Sequence, residues 1–317
     1  MSAVEWVGGD EGLDGVDGRA RHARLLAVAE VLSPHLNGPT SHRLARALEG
    51  LQSSADSLSS GDEEDRVWLV RGLDRLNASR ISHWLGEIDR LGAVGVSVVD
   101  LLDDAYPVSL RMVHNRPPFL MVRGTLTSGD VRAMAVVGTR RPSKEGMDVA
   151  RQISQELAKR RITVVSGLAM GIDTAAHEGA LAGNGRTIAV FGTGIDVVYP
   201  AENRALASRV ASSGACVSQF WPAMSGAPWT FPVRNLVTSG LSIGTVVVEA
   251  SETSGARLQA VAALAHGKRV LLLRRLVQTQ PWAIEIANRS GVTVVDSVDE
   301  VVESVEHELQ FDSAQRT

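Results

Sequence analysis

An apolar strand-like run, ITVVS, leads into SGLAMGIDTAAHEGAL at residues 166–181, where Asp173 and His177 stand one helical turn apart among glycines 167, 171 and 179. An acid and an imidazole at that spacing suggest acid–base chemistry, which needs a tuned pKa and a reachable proton. The glycines suggest something else. Glycine lets backbone amides approach a ligand closely, and amides at a helix start hold an anion with help from the helix dipole. The sequence repeats the device, because apolar runs end in GTRRPS (138–143), SGLAMGID (166–173) and GTGIDVVYP (192–200). The first carries Arg140 and Arg141 beside Gly138, and the third carries Gly192 and Gly194. Such turns on consecutive units, one of them with two guanidiniums, point to a phosphate-type ligand. Asp173 stands where an N-cap belongs, ahead of TAAHEGAL. His177 falls near a helix N-terminus, which disfavours its protonated form. No Ser–His–Asp arrangement is readable, so no catalytic residue is assigned.

Spacing excludes two nucleotide signatures. The dinucleotide fingerprint is G-x-G-x-x-G opening a helix, with an acid about 20 residues on. GTGIDVVYP supplies the first pair of glycines and then runs into Tyr199-Pro200, and no Walker A loop occurs. The single cysteine, Cys216, closes no internal disulfide and builds no Cys-rich zinc site, so neither metal nor cofactor is expected.

The turns need elements to hold them. Apolar runs at 133–138, 162–165, 187–192, 215–218, 245–250, 269–273 and 292–295 read as strands, with helices at 144–160 and 174–182 between them. Strands this uniformly apolar suit a parallel sheet covered on both faces. Alternation of the two element types predicts an α/β, doubly wound domain over 126–305. Ahead of it, apolar periodicity over 21–50 and 66–91, with a polar linker at 51–65, predicts a small helical module spanning 21–91. A Gly- and Asp-rich N-terminus (1–20) reads as mobile, 92–125 as a connecting segment of strand and loop, and 306–317 as an acidic tail.

Charge is unevenly spread. The net charge is −4, yet residues 132–161 hold eight Lys or Arg against three acids, and residues 290–315 hold seven acids and no Lys or Arg. Only three lysines occur, so arginine carries most of the positive charge, which suits bidentate phosphate contacts. With no signal peptide and no apolar run of about 18 residues, the chain reads as a cytoplasmic protein without a membrane partner.

Six segments together resemble the DNA-processing protein A family (DprA/Smf). They are YPVSLRMVHNRPPFLMVRG (106–124), AVVGTRRPSKEG (135–146), VVSGLAMGIDTAAHEGAL (164–181), IAVFGTGIDVVYPAEN (188–203), FPVRNLVTSGLS (231–242) and VVVEASETSGARLQA (246–260). The resemblance covers about half the chain and implies an extended Rossmann-like domain that dimerises. It implies a non-enzymatic role: binding single-stranded DNA, protecting incoming DNA in natural transformation and helping to load the RecA recombinase. By position it implies a DNA or phosphate site from Gly138, Arg140, Ser166, Gly167, Gly171, Asp173, Gly192, Gly194, Arg234 and Asn235. The chain departs from the family in several places. Met170 and Leu236 stand where cations are usual, and Ser218-Gln219 replaces a Ser-Glu pair. The loop SGAR adds Arg257, and Arg274-Arg275 replaces a Pro-Gly. No winged-helix pattern is read after the last strand. Trp221 and Trp229 flank a Pro/Gly loop, where packing or base stacking would use them.

Two other functions fit the same fold. One is a nucleotide-sensing or interaction module using these loops. The other is a nucleoside monophosphate hydrolase resembling the LOG proteins, but that chemistry needs an acid where this chain has Ala256-Arg257-Leu258-Gln259.

Overall fold

The computed structural model describes residues 18–36, 38–50 and 60–315, which divide into two compact units. The first draws on Met1–Tyr106 and Asn115–Val122, the second on Pro107–His114 and Arg123–Thr317.

In the first unit, helices α1 (Gly18–Leu32), α2 (Gly38–Gly50), α3 (Ser60–Leu73) and α4 (Ala78–Ala93) precede strand β1 (Val96–Asp100). Leu25, Leu26, Leu44, Leu48, Leu69 and Trp84 are buried. The stretch expected over 66–91 is two helices, because Asn77 breaks it and accepts the Arg80 N–H as an N-cap, at 2.9 Å. The expected linker and mobile terminus are both shorter on the described side: residues 60–65 open α3 and residues 18–20 open α1. Residues 1–17 and 51–59 lie outside the described residues. Polar anchors join the elements. The Glu30 carboxylate accepts from Arg80 at 2.5 Å and from the Trp84 indole at 3.1 Å. Arg21 and His22 hold Asp100, which closes β1, and Asp103 just beyond it.

The connecting region contributes α5 (Val108–Arg111) and β2 (Phe119–Gly124). Alternation then begins: β3 (Ala133–Val137), α6 (Lys144–Lys159), β4 (Thr163–Ser166), α7 (Ile172–Ala182) and β5 (Thr187–Val190). It continues with α8 (Arg204–Ser213), β6 (Ala215–Ser218), α9 (Thr230–Gly240), β7 (Gly244–Val247), α10 (Gly255–Ala265) and β8 (Arg269–Leu273). The short helices α11 (Arg274–Thr279) and α12 (Pro281–Ala287), then β9 (Val292–Val295) and α13 (Val298–Gln315), complete it. Among the described residues of this unit, seven strands pair in parallel in the order β6-β5-β4-β3-β7-β8-β9. The chain winds outward from β3 to β6, then returns through α9 to β7 on the other side of β3. This is the expected doubly wound, Rossmann-like α/β fold, and the return creates a switch point beside β3 where such sheets bind ligands.

Period-two alternation divides the core. Val136, Val246 and Leu271 face α6, α7 and α13, whereas Val137, Val247 and Leu272 face α10, α11 and α12. Small residues set the spacing: Ala175, Ala176 and Ala180 enter the first core, and Gly179 lies against the α6 backbone at Arg151. The acidic segment expected from residue 306 is helical through 315, as the second half of α13. Val301, Val305 and Leu309 recur every fourth residue among the acids and bury one face of the helix.

One ion pair fastens the end of the sheet opposite the switch point. Asp130, ahead of β3, accepts from Arg186 Nε and Nη2, both at 2.9 Å, from Thr163 Oγ1 at 2.8 Å and from the Thr127 amide at 2.7 Å. Burial pushes its pKa up, but the hydrogen bonds from Arg186, Thr127 and Thr163 outweigh burial and hold it below the usual carboxylate range. A depressed folded pKa stabilises the protein above the unfolded-state value and ceases to do so as pH falls through the folded one. Asp130→Asn is expected to cost about 2 kcal/mol at pH 7, less than a fully buried pair because Arg186 is one-third exposed. Urea unfolding should show that difference shrinking as pH falls below the ordinary aspartate range of about 4 and lost once the folded carboxylate is protonated.

Candidate functional site

The ends of β3, β4 and β7, together with α9, enclose a cleft of about 470 Å³ at the switch point. It brings together six of the residues expected from sequence: Gly138, Arg140, Gly167, Asp173, Arg234 and Asn235. The others do not line it. Ser166 is buried and donates its hydroxyl to the Val136 carbonyl at 2.7 Å. Gly171 supports the cleft from behind. Its φ of 82° is one that side chains rarely adopt, and a Cβ there would meet the Thr139 carbonyl. Gly192 lies under the Phe231 ring, and Gly194 packs on the Trp221 and Pro222 carbonyls. Arg257 is paired with Glu252 instead of facing the cleft.

Arg234 organises the floor. It is carried by α9 and is 8% exposed. Its Nη1 donates to the Gly167 and Val190 carbonyls, both at 2.7 Å, and its Nε donates to Asn235 Oδ1 at 3.2 Å. Among the described residues Nη2 has no hydrogen-bond partner, and the residue lines the cleft. The approach is possible because residue 167 is glycine: a Cβ there would fall on the guanidinium. Burial lowers the Arg234 pKa, with Asp173 opposing, yet an arginine in protein remains charged.

Asp173 does not cap its helix as expected. Gly171 is the N-cap, and Asp173 sits inside the first turn of α7. From there its carboxylate accepts the Gly167 and Ala169 amides at 3.1 and 3.3 Å. The nest that glycine spacing suggested for a bound phosphate therefore already holds a carboxylate from the chain itself. Burial pushes the Asp173 pKa up, against the pull of Arg234 and of these amides. Leu168, between the two amides, takes a left-handed φ of 60°, so the turn stores some backbone strain. Asn203 clasps the same turn, donating to the Leu168 carbonyl at 2.9 Å.

His177 lies behind the turn, fully buried, with Nδ1 2.7 Å from Thr187 Oγ1. Burial, then the Arg234 charge, pulls its pKa down to about 3, so it is neutral and out of reach of a substrate. Asp173 is the cleft's only lining carboxylate among the described residues, and it is engaged with backbone. Glu249 accepts the Ser143 amide and hydroxyl at 3.1 and 3.0 Å, outside this cleft.

The mouth is cationic and aromatic. Arg140 and Arg141 are exposed, and neither has an ion-pair partner among the described residues. The Arg140 guanidinium stands over the Phe231 ring at 5.1 Å, and Tyr199 stacks at a tilt on the same ring at 5.8 Å. Thr253 and Ser254 add hydroxyls on the opposite wall. Trp229 packs edge-on to Phe220 at 5.9 Å and remains 37% exposed, while Trp221 is half-buried. Met170 is exposed and Leu236 half-buried, so the positive charge comes from Arg140, Arg141 and Arg234. Sequence reading missed Phe231 and the Thr253–Ser254 wall. The signal for Phe231 was present, three residues before Arg234 and so on the same face of a helix.

Residues 97–306 match the family model described as DNA recombination-mediator protein A. The chain is 41% identical over 162 residues to Protein Smf of Synechocystis, covering 50% of this chain and 41% of that one. It is 38% identical over 173 residues to DNA processing protein DprA of Streptococcus pneumoniae, covering 55% of this chain and 61% of the relative. The chain thus spans about half the length of the curated relatives it matches. Among solved structures it is similar to the DprA of Streptococcus pneumoniae, with a TM-score of 0.66 and 28% identity over 90% of this chain and 97% of that one. It also shares the fold of the Helicobacter pylori protein whose structure concerns a single-stranded DNA binding mode. There the TM-score is 0.59 and identity 22%, over 67% of this chain and 96% of that one.

The Gly167–Arg234 contact is testable by overpacking. Gly167→Ala must displace a guanidinium bonded to two carbonyls and is expected to cost about 3 kcal/mol, the top of the usual overpacking range. Gly255→Ala, where an added Cβ meets nothing within 4 Å, is expected to be neutral. Denaturant midpoints of the two variants check this.

Proposed function

The chain belongs to the DNA recombination-mediator protein A family, and from that premise we propose that its cleft binds single-stranded DNA and that it acts as a recombination mediator without being an enzyme. The observation that carries this reading is the Arg140–Phe231 pair, an unpaired cation on an aromatic face above the Arg234 guanidinium. Single strands are held by such surfaces, where cations track the backbone and rings accept bases regardless of sequence. Phosphate contacts from Arg140 and Arg141 fix position and carry no sequence information. Against hydrolysis stands the state of the acids and the histidine at and beside the cleft among the described residues: Asp173 is engaged by amides, Glu249 by Ser143, and His177 is buried.

Family membership supports the finer parts of the proposal. The protein works as a cytoplasmic homodimer that shields incoming strands during natural transformation and helps load RecA. No described helix is long and apolar enough to cross a membrane. A mononucleotide fits a cleft of this size as well. Nucleotide sensing is therefore the competing reading, favoured if a nucleotide raises the melting temperature and no oligonucleotide binds.

Fluorescence anisotropy with labelled oligonucleotides tests the proposal. Single strands should bind more tightly than duplex, with affinity falling as salt rises. Arg140→Ala should weaken binding about tenfold, or about 1.4 kcal/mol. Arg123→Ala should change it less than twofold, because Arg123 lies outside the cleft and faces Asp196 at 3.6 Å. No binding at low salt, or equal binding to both DNA forms, overturns the reading.

A further inference from the structure

A second cleft, of about 460 Å³, opens on the other side of the β3–α6 turn. Thr139, Arg141 and Ser251 line both clefts, so these three residues form a shared ridge and not a barrier. The second cleft has an apolar floor that includes Val149, Val248, Leu276 and Val298. Its rim carries Arg141, Arg274 and Arg275. Arg274 pairs with Asp296 and Arg275 with Glu145, but all four side chains are open to solvent, at 51%, 47%, 62% and 69% exposure respectively. Ion pairs that exposed contribute little, about 0–1 kcal/mol, and exchange partners readily. The remaining rim acid, Glu249, is held by the Ser143 amide and hydroxyl.

Resting on the single-strand reading above, we propose that the DNA path continues from the first cleft over Arg141 into this second cleft, where Arg274 and Arg275 leave Asp296 and Glu145 to take two further phosphates. Guanidiniums along a groove track the backbone of a single strand, and the aliphatic floor offers its bases a surface on which to shed water. The arginine pair is thus a length-sensing extension of the site. It engages strands long enough to cross the ridge and leaves short ones untouched.

Oligothymidylates of increasing length, from about 4 to about 16 nucleotides, test this by anisotropy, that span being the range of single-strand site sizes. For the Arg274→Ala/Arg275→Ala variant, affinity for the shortest bound strand should match wild type, while the longest loses about tenfold. Its salt slope on the longest strand should fall by about 1.4, two contacts at about 0.7 each. The Glu145→Gln/Asp296→Asn variant releases both arginines from their partners, so it should bind the long strand about threefold more tightly and the short one as wild type does. Equal losses at every length, no loss at any length, or no tightening in the second variant would each overturn the extension. If wild type binds no strand of any length, the single-strand reading falls first and the extension falls with it.

Discussion

Arg234 donates from one nitrogen to two carbonyls at the ends of neighbouring strands, Gly167 after β4 and Val190 closing β5. Much of the site follows from that bond. A guanidinium can reach there only if residue 167 has no side chain. A buried cation is costly unless other groups compensate it, and here the carbonyls, Asn235 and the nearby Asp173 carboxylate do so. Asp173 in turn gathers the amides of the turn between β4 and α7. Glycine spacing, acid and arginine are therefore one device, with each part requiring the others.

The arginines of the second unit differ in what they face. Arg123, Arg151, Arg160, Arg186, Arg257, Arg274 and Arg275 each face a carboxylate. Arg140 and Arg141, at the switch point, have no ion pair among the described residues; nor do the exposed Arg132, Arg161, Arg204 and Arg209, but these stand outside the cleft. This matters more than the total charge of −4. A paired surface cation offers little net field, whereas an unpaired one beside an aromatic face attracts a polyanion and gives its bases a surface.

The strands that carry the site were legible because parallel strands are apolar throughout: ACVS, RVLLL and VTVV form β6, β8 and β9 with the boundaries read from sequence. The switch-point turns were legible because glycine before a helix is a strong punctuation. What fills the turns was not. Spacing placed Asp173 near free amides but gave no sign that its own carboxylate would occupy them, since that depends on a strained backbone at Leu168 and on Arg234, distant in sequence. Arg257 looked like a ligand-binding cation because its partner Glu252 lies on the loop just before α10, where proximity does not show in periodicity. The acids after residue 305 hid an apolar face with one member per turn.

The Asp173 carboxylate in the amide nest has a mechanical consequence. A nest left empty would collapse or fill with water, and its geometry would change when a ligand arrived. One permanently filled by its own anion holds the turn in a single shape at all times. The rigid part of the site is closed to a second anion, and the open part consists of the Arg140 and Arg141 side chains with the Phe231 ring and the Thr253 and Ser254 hydroxyls. Long side chains of this kind act weakly at any one anionic group and collectively over several.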